Sequence, residues 1–332
     1  MAIPATLRTN LRLPLITAPM FLVSGPELVT AACRAGVIGT FPALNARTSA
    51  GYEEWLQTIA AARGPHDAAF GVNLIVHKTN PRLQADLEIT IRHRVPLVIT
   101  SLGAVRDVVD AVHGYGGMVF HDVTTLAHAR KAAEKGVDGL ILVCAGAGGH
   151  AGTQNPFALL HQVRQFYSGT VILSGCLSTG RDVAAAMVMG ADFAYMGTRF
   201  INVAESRASA GYRQMVIASE SDDITYTPAI SGIPANFLNA SLLACGIDPR
   251  SLPDTPGIDV AAELSPETKA WKDVWSAGQG SGAIDDVPTT PALVARLSAE
   301  LHTAQAEFQA RMAAAVPAPR FVTPDRSETC HE

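Results

Sequence analysis

The feature that most constrains this chain is a repeat of pattern rather than of residues. A short apolar run ends in a small or polar residue, a helically patterned segment follows, and the unit recurs. The runs occupy residues 15–18, 37–40, 70–75, 97–100, 118–121, 140–143, 170–174 and 193–196, eight in all. Between them, residues 26–35, 52–62, 81–93, 104–113, 124–135, 156–166 and 179–189 carry apolar side chains at helical spacing. Continuously apolar runs belong to strands covered on both faces, and strand-helix alternation implies a parallel sheet. Eight units at roughly 20 to 30 residues each suit a (β/α)8 TIM barrel, with a doubly wound open sheet as the other arrangement the pattern allows. Gly36, Gly136 and Gly190 stand where helices must stop, two of them preceded by a cation, Arg34 or Lys135.

In a barrel all strand C-termini share one rim. That rim would gather Pro19, Met20, Asn73, Ser101, His121, the loop 146–152, Gly175, Cys176, Gly197 and Thr198. The stretch 139–152, GLILVCAGAGGHAG, is its most informative part: a buried strand opens into glycines, with His150 the only loop side chain able to move a proton near neutral pH. Gly146, Gly148 and Ala151 also satisfy the dinucleotide fingerprint, which requires an acidic residue about 20 residues on. No Asp or Glu occurs between Gly139 and Gly180, so that reading fails.

With 332 residues, 48% hydrophobic and only 17% charged, the chain can bury a full core, as α/β enzymes do. The net charge of −5 comes without a basic cluster, so no nucleic-acid partner is expected. Cys33, Cys144, Cys176, Cys245 and Cys330 are odd in number and show no metal spacing; no metal and a reduced, cytoplasmic setting are expected. No apolar stretch reaches the ~20 residues of a membrane span, and the first residues lack a signal-peptide core. After the eighth run the pattern breaks. Residues 1–207 and 290–316 are expected to form the barrel, 208–289 a smaller, mostly helical insert placed as a lid, and 317–332 a disordered tail. The oligomeric state is not given by the sequence; a homodimer is compatible with it.

Two rim turns suit phosphate: Ser174-Gly175-Cys176-Leu177-Ser178-Thr179-Gly180 after the seventh run and Met196-Gly197-Thr198 after the eighth. In barrels these loops and a nearby helix N-terminus commonly bind a phosphate through backbone N–H groups; glycines serving only tight turns would look the same.

Taken together, the motifs resemble the nitronate monooxygenase family, FMN-dependent (β/α)8 enzymes once called 2-nitropropane dioxygenases. The matching pieces are Ala18-Pro19-Met20, Phe70-Gly71-Val72-Asn73-Leu74, Ala147-Gly148-Gly149-His150-Ala151-Gly152, Gly175 with Thr179-Gly180-Arg181, and Met196-Gly197-Thr198-Arg199-Phe200 with Glu205-Ser206. Gly232-Ile233-Pro234-Ala235-Asn236 and Ala277-Gly278-Gln279-Gly280 extend the likeness into the insert. The resemblance implies FMN, its phosphate on Gly175, Gly197 and Thr198 and its ring near Pro19, Met20 and Asn73. The full contact set implied is Ala18, Pro19, Met20, Asn73, Gly149, Gly152, Ser174, Gly175, Cys176, Met196, Gly197 and Thr198. It implies His150 as the catalytic histidine, acting as base on a nitroalkane or as imidazolium on the anion. In the family reaction a nitronate, propionate 3-nitronate among the candidates, is oxidised with dioxygen to a carbonyl compound and nitrite.

Two departures stand out. Members often carry a glutamate where Gly146 stands, and glycine or alanine where Cys176 stands. Three rival readings remain: a flavoenzyme of the same fold taking electrons from NAD(P)H to reduce a quinone or enoyl thioester, a non-redox barrel pairing Cys144 or Cys176 with His150, and a barrel that only binds. Of the weaker residues, His121 either reaches the site or pairs structurally with Asp122. Tyr226 and Trp275 either cover the ligand or form the insert's core. Arg199 is expected to pair with Glu205 rather than hold phosphate.

Overall fold

All eight apolar runs form strands of one parallel sheet: β1 (Leu15–Thr17), β2 (Gly39–Pro42), β3 (Phe70–Ile75), β4 (Leu97–Ser101), β5 (Met118–Val123), β6 (Gly139–Val143), then, beyond a two-residue strand β7 (Gly149–His150), β8 (Thr170–Ser174) and β9 (Phe193–Met196). The computed structural model describes residues 3–252, 254–255 and 272–315. Trp271 and the expected tail at 317–332 lie outside the described residues.

The strands run β1-β9-β8-β6-β5-β4-β3-β2. The ends meet where Ile16 bridges Ile38, with Thr17 N–H on the Ile38 carbonyl at 2.9 Å and Ile38 N–H on the Leu15 carbonyl at 3.0 Å. This closes the barrel and settles the choice against an open sheet. Alternation along each strand sorts the core into two layers. Leu97, Ile99, Phe120, Ile141, Ile172, Phe193 and Tyr195 fill the interior, while Val98, Val119, Leu140, Leu142, Val171 and Leu173 face the helices. A short helix, Ala5–Arg8, places Leu7 in the interior cluster.

The helices start where the sequence supplies caps: Thr48, Thr125, Asn155 and Thr179 each accept a hydrogen bond from a first-turn N–H. Gly36, Gly136 and Gly190 take positive φ at helix ends, as expected. The last helix, Thr290–Ala315, packs against the helices Pro26–Ala35 and Gly180–Met189. Among the described residues no helix is long and apolar enough to cross a membrane.

The insert holds a helix at Ala210–Ile217 and a shorter one at Asn239–Ala244. It also holds a ribbon that the sequence pattern did not announce, β10 (Ile224–Thr227) paired antiparallel with β11 (Ala235–Leu238). β11 pairs in turn with β7, placing Ala235 opposite His150 and Asn236 opposite Gly149.

Arg199 does not pair with Glu205. The buried guanidinium lies 2.6 Å from Asp286, while Glu205 accepts from the backbone N–H and hydroxyl of Thr290 and so caps the last helix.

The tightest helix contact sits at Gly180, where an added Cβ would lie 2.0 Å from the Leu297 carbonyl oxygen and 2.7 Å from the Leu301 nitrogen. Backbone cannot yield as a side-chain tip can. Gly180→Ala should therefore displace the last helix and cost about 1–3 kcal/mol, read as a lowered urea midpoint; an unchanged midpoint would contradict this packing.

Candidate active site

The C-terminal rim surrounds one cavity, and its walls come from nearly every element flagged in the sequence. Ala18, Pro19 and Met20 follow β1; Asn73, Ser101 and Asp122 end β3, β4 and β5; Gly146 to His150 follow β6; Ser174 to Ser178 follow β8; Gly197 and Thr198 follow β9. Of the implied contact residues, eleven of thirteen with His150 line this cavity, and Gly152 and Met196 do not. Met196 points outward because Tyr195 points inward, and it is buried among Leu28, Val183 and Leu293. Gly152 is turned away, its N–H on the Val143 carbonyl and its Cα packed on Thr124.

The loop after β1 is clamped by Asn45. Its side-chain oxygen accepts from Leu22 N–H at 2.8 Å and its amide donates to the carbonyls of Met20 (3.0 Å) and Ser24 (2.8 Å). The histidine loop is held by the insert. Gly149 N–H donates to Ser276 Oγ at 2.6 Å, Asn236 donates to the Ala147 carbonyl at 2.7 Å, and Gln279 N–H donates to the Gly146 carbonyl at 2.9 Å. The insert thus forms one cavity wall, through Tyr212, Ser276, Gly278 and Gly280. Neither Tyr226 nor Trp275 lines it. Trp275 stacks on Tyr212 at 5.0 Å, and the Tyr226 hydroxyl donates to the Ala151 carbonyl at 3.0 Å.

Among the described residues, the backbone N–H groups of Cys176, Leu177, Gly197 and Thr198 have no acceptor within the protein, so two adjacent loops offer four open donors. At the helix that begins at Gly180, most of the N–H groups around its start are already engaged. Asp182 takes the N–H groups of Ser178 and Thr179 at 2.9 and 2.8 Å, and Glu300 takes that of Gly180 at 2.7 Å. An anion in this cavity would rest on loop backbone.

His150 is half-buried, and desolvation pulls its pKa down to about 4, so the imidazole is neutral at neutral pH. Burial acts the other way on Cys144, pushing the thiol up to about 12; this removes it as a nucleophile. His121 does not reach the cavity. β5 runs two residues further than the apolar run suggested, so His121 faces outward onto Thr100, at 2.8 Å, and Asp122 faces in.

The two departures from the family pattern prove to be one feature. Gly146 sits at φ +77°, and a Cβ there would lie 2.4 Å from Cys176 Sγ and 2.7 Å from Gln279 Oε1. The Cys176 thiol occupies the space a side chain at 146 would need. Gly175, at φ +124°, allows the turn that brings it there.

A family model of nitronate monooxygenase matches residues 6–300. The chain is 28% identical to a nitronate monooxygenase of Paraburkholderia phytofirmans, over 87% of this chain and 92% of that one. It is 29% identical to a (3aS,4S,5R,7aS)-5-hydroxy-7a-methyl-1-oxo-octahydro-1H-indene-4-carboxyl-CoA dehydrogenase of Rhodococcus jostii, over 72% and 68% of the two chains. Among solved structures, a nitroalkane oxidase from Streptomyces ansochromogenes superposes with a TM-score of 0.79 at 25% identity, covering 92% of this chain and all (100%) of that one.

Two outcomes follow from this geometry. Gly146→Ala should cost about 2 kcal/mol or more, from the left-handed backbone and the clash together, and adding Cys176→Gly should restore the part owed to the clash. Thermal midpoints of the single and double variants measure this; no recovery in the double variant would refute the shared space. The second concerns acid. Between pH 4 and 6, His121 and His150, both held at about 4, bind fewer protons folded than unfolded, whereas Asp122, raised to about 6, binds more. For these three groups the net is one proton, so they should lower stability by about 1.4 kcal/mol per pH unit as pH drops through that window, with the depressed carboxylates of Glu53, Asp286 and Glu307 adding to the fall near pH 4. His121→Asn should make the slope shallower by about one proton, measured by urea unfolding at pH 6, 5 and 4.

Proposed function

The chain belongs to the nitronate monooxygenase family, and from that premise we propose that it oxidises alkyl nitronates with dioxygen to a carbonyl compound and nitrite, using FMN. The observation that carries the reading is convergence: His150, the open N–H groups of two neighbouring loops and the Asn73 amide share one cavity although they come from the ends of four barrel strands.

The residues present fit the cofactor. Cys176, Leu177, Gly197 and Thr198 would hold a phosphate by backbone N–H groups, in a cradle kept open by the glycines beside it. Pro19 and Met20 would flank a flat ring, and Asn73 would meet its polar edge. FMN, when bound, supplies the redox capacity that no side chain here has.

The protein's own part is orientation and proton handling. A neutral His150 accepts a proton, so it acts as general base on a neutral nitroalkane and forms the nitronate in place. β7 holds the backbone that carries that ring by pairing with β11, and Ser276 holds the preceding N–H. A preformed nitronate needs no proton removed.

The isolated protein should be yellow, with FMN released on denaturation. Mixed anaerobically with propionate 3-nitronate it should bleach, and with NADH it should not. Bleaching by NADH alone would favour the reductase reading. His150→Asn should keep its FMN and lose turnover of neutral nitroethane by about a hundredfold or more, with a smaller loss on the preformed nitronate. Equal losses on both substrates would remove His150 as the base.

A further inference from the structure

Three neighbouring strands each send one polar side chain to the cavity floor: Asn73 from β3, Ser101 from β4 and Asp122 from β5. The flavin reading makes no use of a carboxylate there. The side chains form a chain of hydrogen bonds with a definite direction. Ser101 Oγ donates to Asp122 Oδ2 at 2.5 Å, and Asn73 Nδ2 donates to Ser101 Oγ at 2.7 Å and to the Ile99 carbonyl at 3.2 Å.

The direction follows from proton counting. A hydroxyl has one proton, and an ionised carboxylate can only accept, so the Ser101 hydrogen points at Asp122 and only Ser101 lone pairs face Asn73. Asn73 must then turn its NH2 group toward Ser101. The Ile99 carbonyl, also an acceptor, holds the same orientation. Both amide hydrogens are engaged, and the Asn73 carbonyl oxygen is left for the cavity. The second Asp122 oxygen, Oδ1, and the Tyr195 hydroxyl are buried beside the cavity without hydrogen-bond partners among the described residues. Neither Tyr195 nor His150 supplies a charge that would neutralise the carboxylate: burial keeps Tyr195 protonated, and His150 is neutral.

We propose that Asp122 is a positioning residue: acting through Ser101, it fixes Asn73 as a hydrogen-bond acceptor on the cavity wall, selecting a ligand N–H. On an oxidised isoalloxazine the N–H available is the imide N3–H, so the relay would set which edge of the ring meets β3. This inference rests on the flavin reading, and its test separates the two.

Flavin-free protein is titrated with FMN and with N3-methyl-FMN, following flavin fluorescence. Wild type should prefer FMN by about tenfold or more, as a hydrogen bond lost inside a closed site warrants. In Asp122→Asn the new amide can donate to Ser101, whose hydroxyl is then free to turn toward Asn73. The preference should shrink to within about threefold. Ser101→Ala cuts the relay without touching position 122 and should behave alike; it carries the test if Asp122→Asn does not fold. A wild-type preference retained in the folded variants would overturn the role of Asp122. Wild type binding both flavins equally would overturn the acceptor role of Asn73, and wild type binding neither would refute the flavin reading itself.

Discussion

The seam between the first two strands is the contact on which the rest depends. Thr17 and Thr40 lock it: Thr40 N–H donates to Thr17 Oγ1 at 3.2 Å, and the Thr40 hydroxyl donates to the Thr17 carbonyl. Both threonines are wholly buried, so these groups have no water to turn to and the pairing is obligatory. Were the seam open, the loop after β1 would lie at a free edge, far from the loop after β2. Closed, it brings Met20 within reach of Asn45, and the cavity acquires its apolar side.

A second constraint is the one placed on the histidine loop. Glycines make that loop able to approach a ligand, and they also leave it without a conformation of its own. Strand β11 supplies one. It recruits Gly149 and His150 into a ladder, while Asn236, Ser276 and Gln279 tie down the peptide groups on either side. The insert therefore holds the loop by its backbone, besides lining the cavity through Tyr212 and Ser276. Gly146 and Cys176 illustrate the same economy of space: one residue gives up its side chain where the other places its thiol.

Much of this was legible beforehand because the signals were local. A buried parallel strand reads as a short apolar run, a helix as a 3.6-residue period, and a helix end as glycine; these gave eight strands and the helices between them. Rim position then follows from strand polarity, which is why Pro19, Asn73, His150, Gly175 and Gly197 were named together. Errors arose where one residue of register matters. Met196 ends β9 and His121 ends an apolar run whose strand goes on for two more residues; an offset of one turns a cavity residue into one facing the helices, leaving Asp122 and Tyr195 unnoticed in the inward positions. The start of the helix Gly180–Met189 is less open than its glycine and cap suggest for another reason: Asp182 takes the N–H groups of Ser178 and Thr179, and Glu300, 120 residues away, takes that of Gly180.

The sequence by itself determined the strand-helix rhythm, the sites of chain reversal and the presence of a histidine among glycines, since each depends on residues near one another in the chain. Only the tertiary structure decided that the sheet closes, that Arg199 finds Asp286, that β11 pairs with His150, and that Ser101 donates its hydrogen bond to Asp122. Those outcomes are pairings between distant groups, chosen by which buried donors and acceptors find partners once the barrel has formed, and no local pattern encodes them.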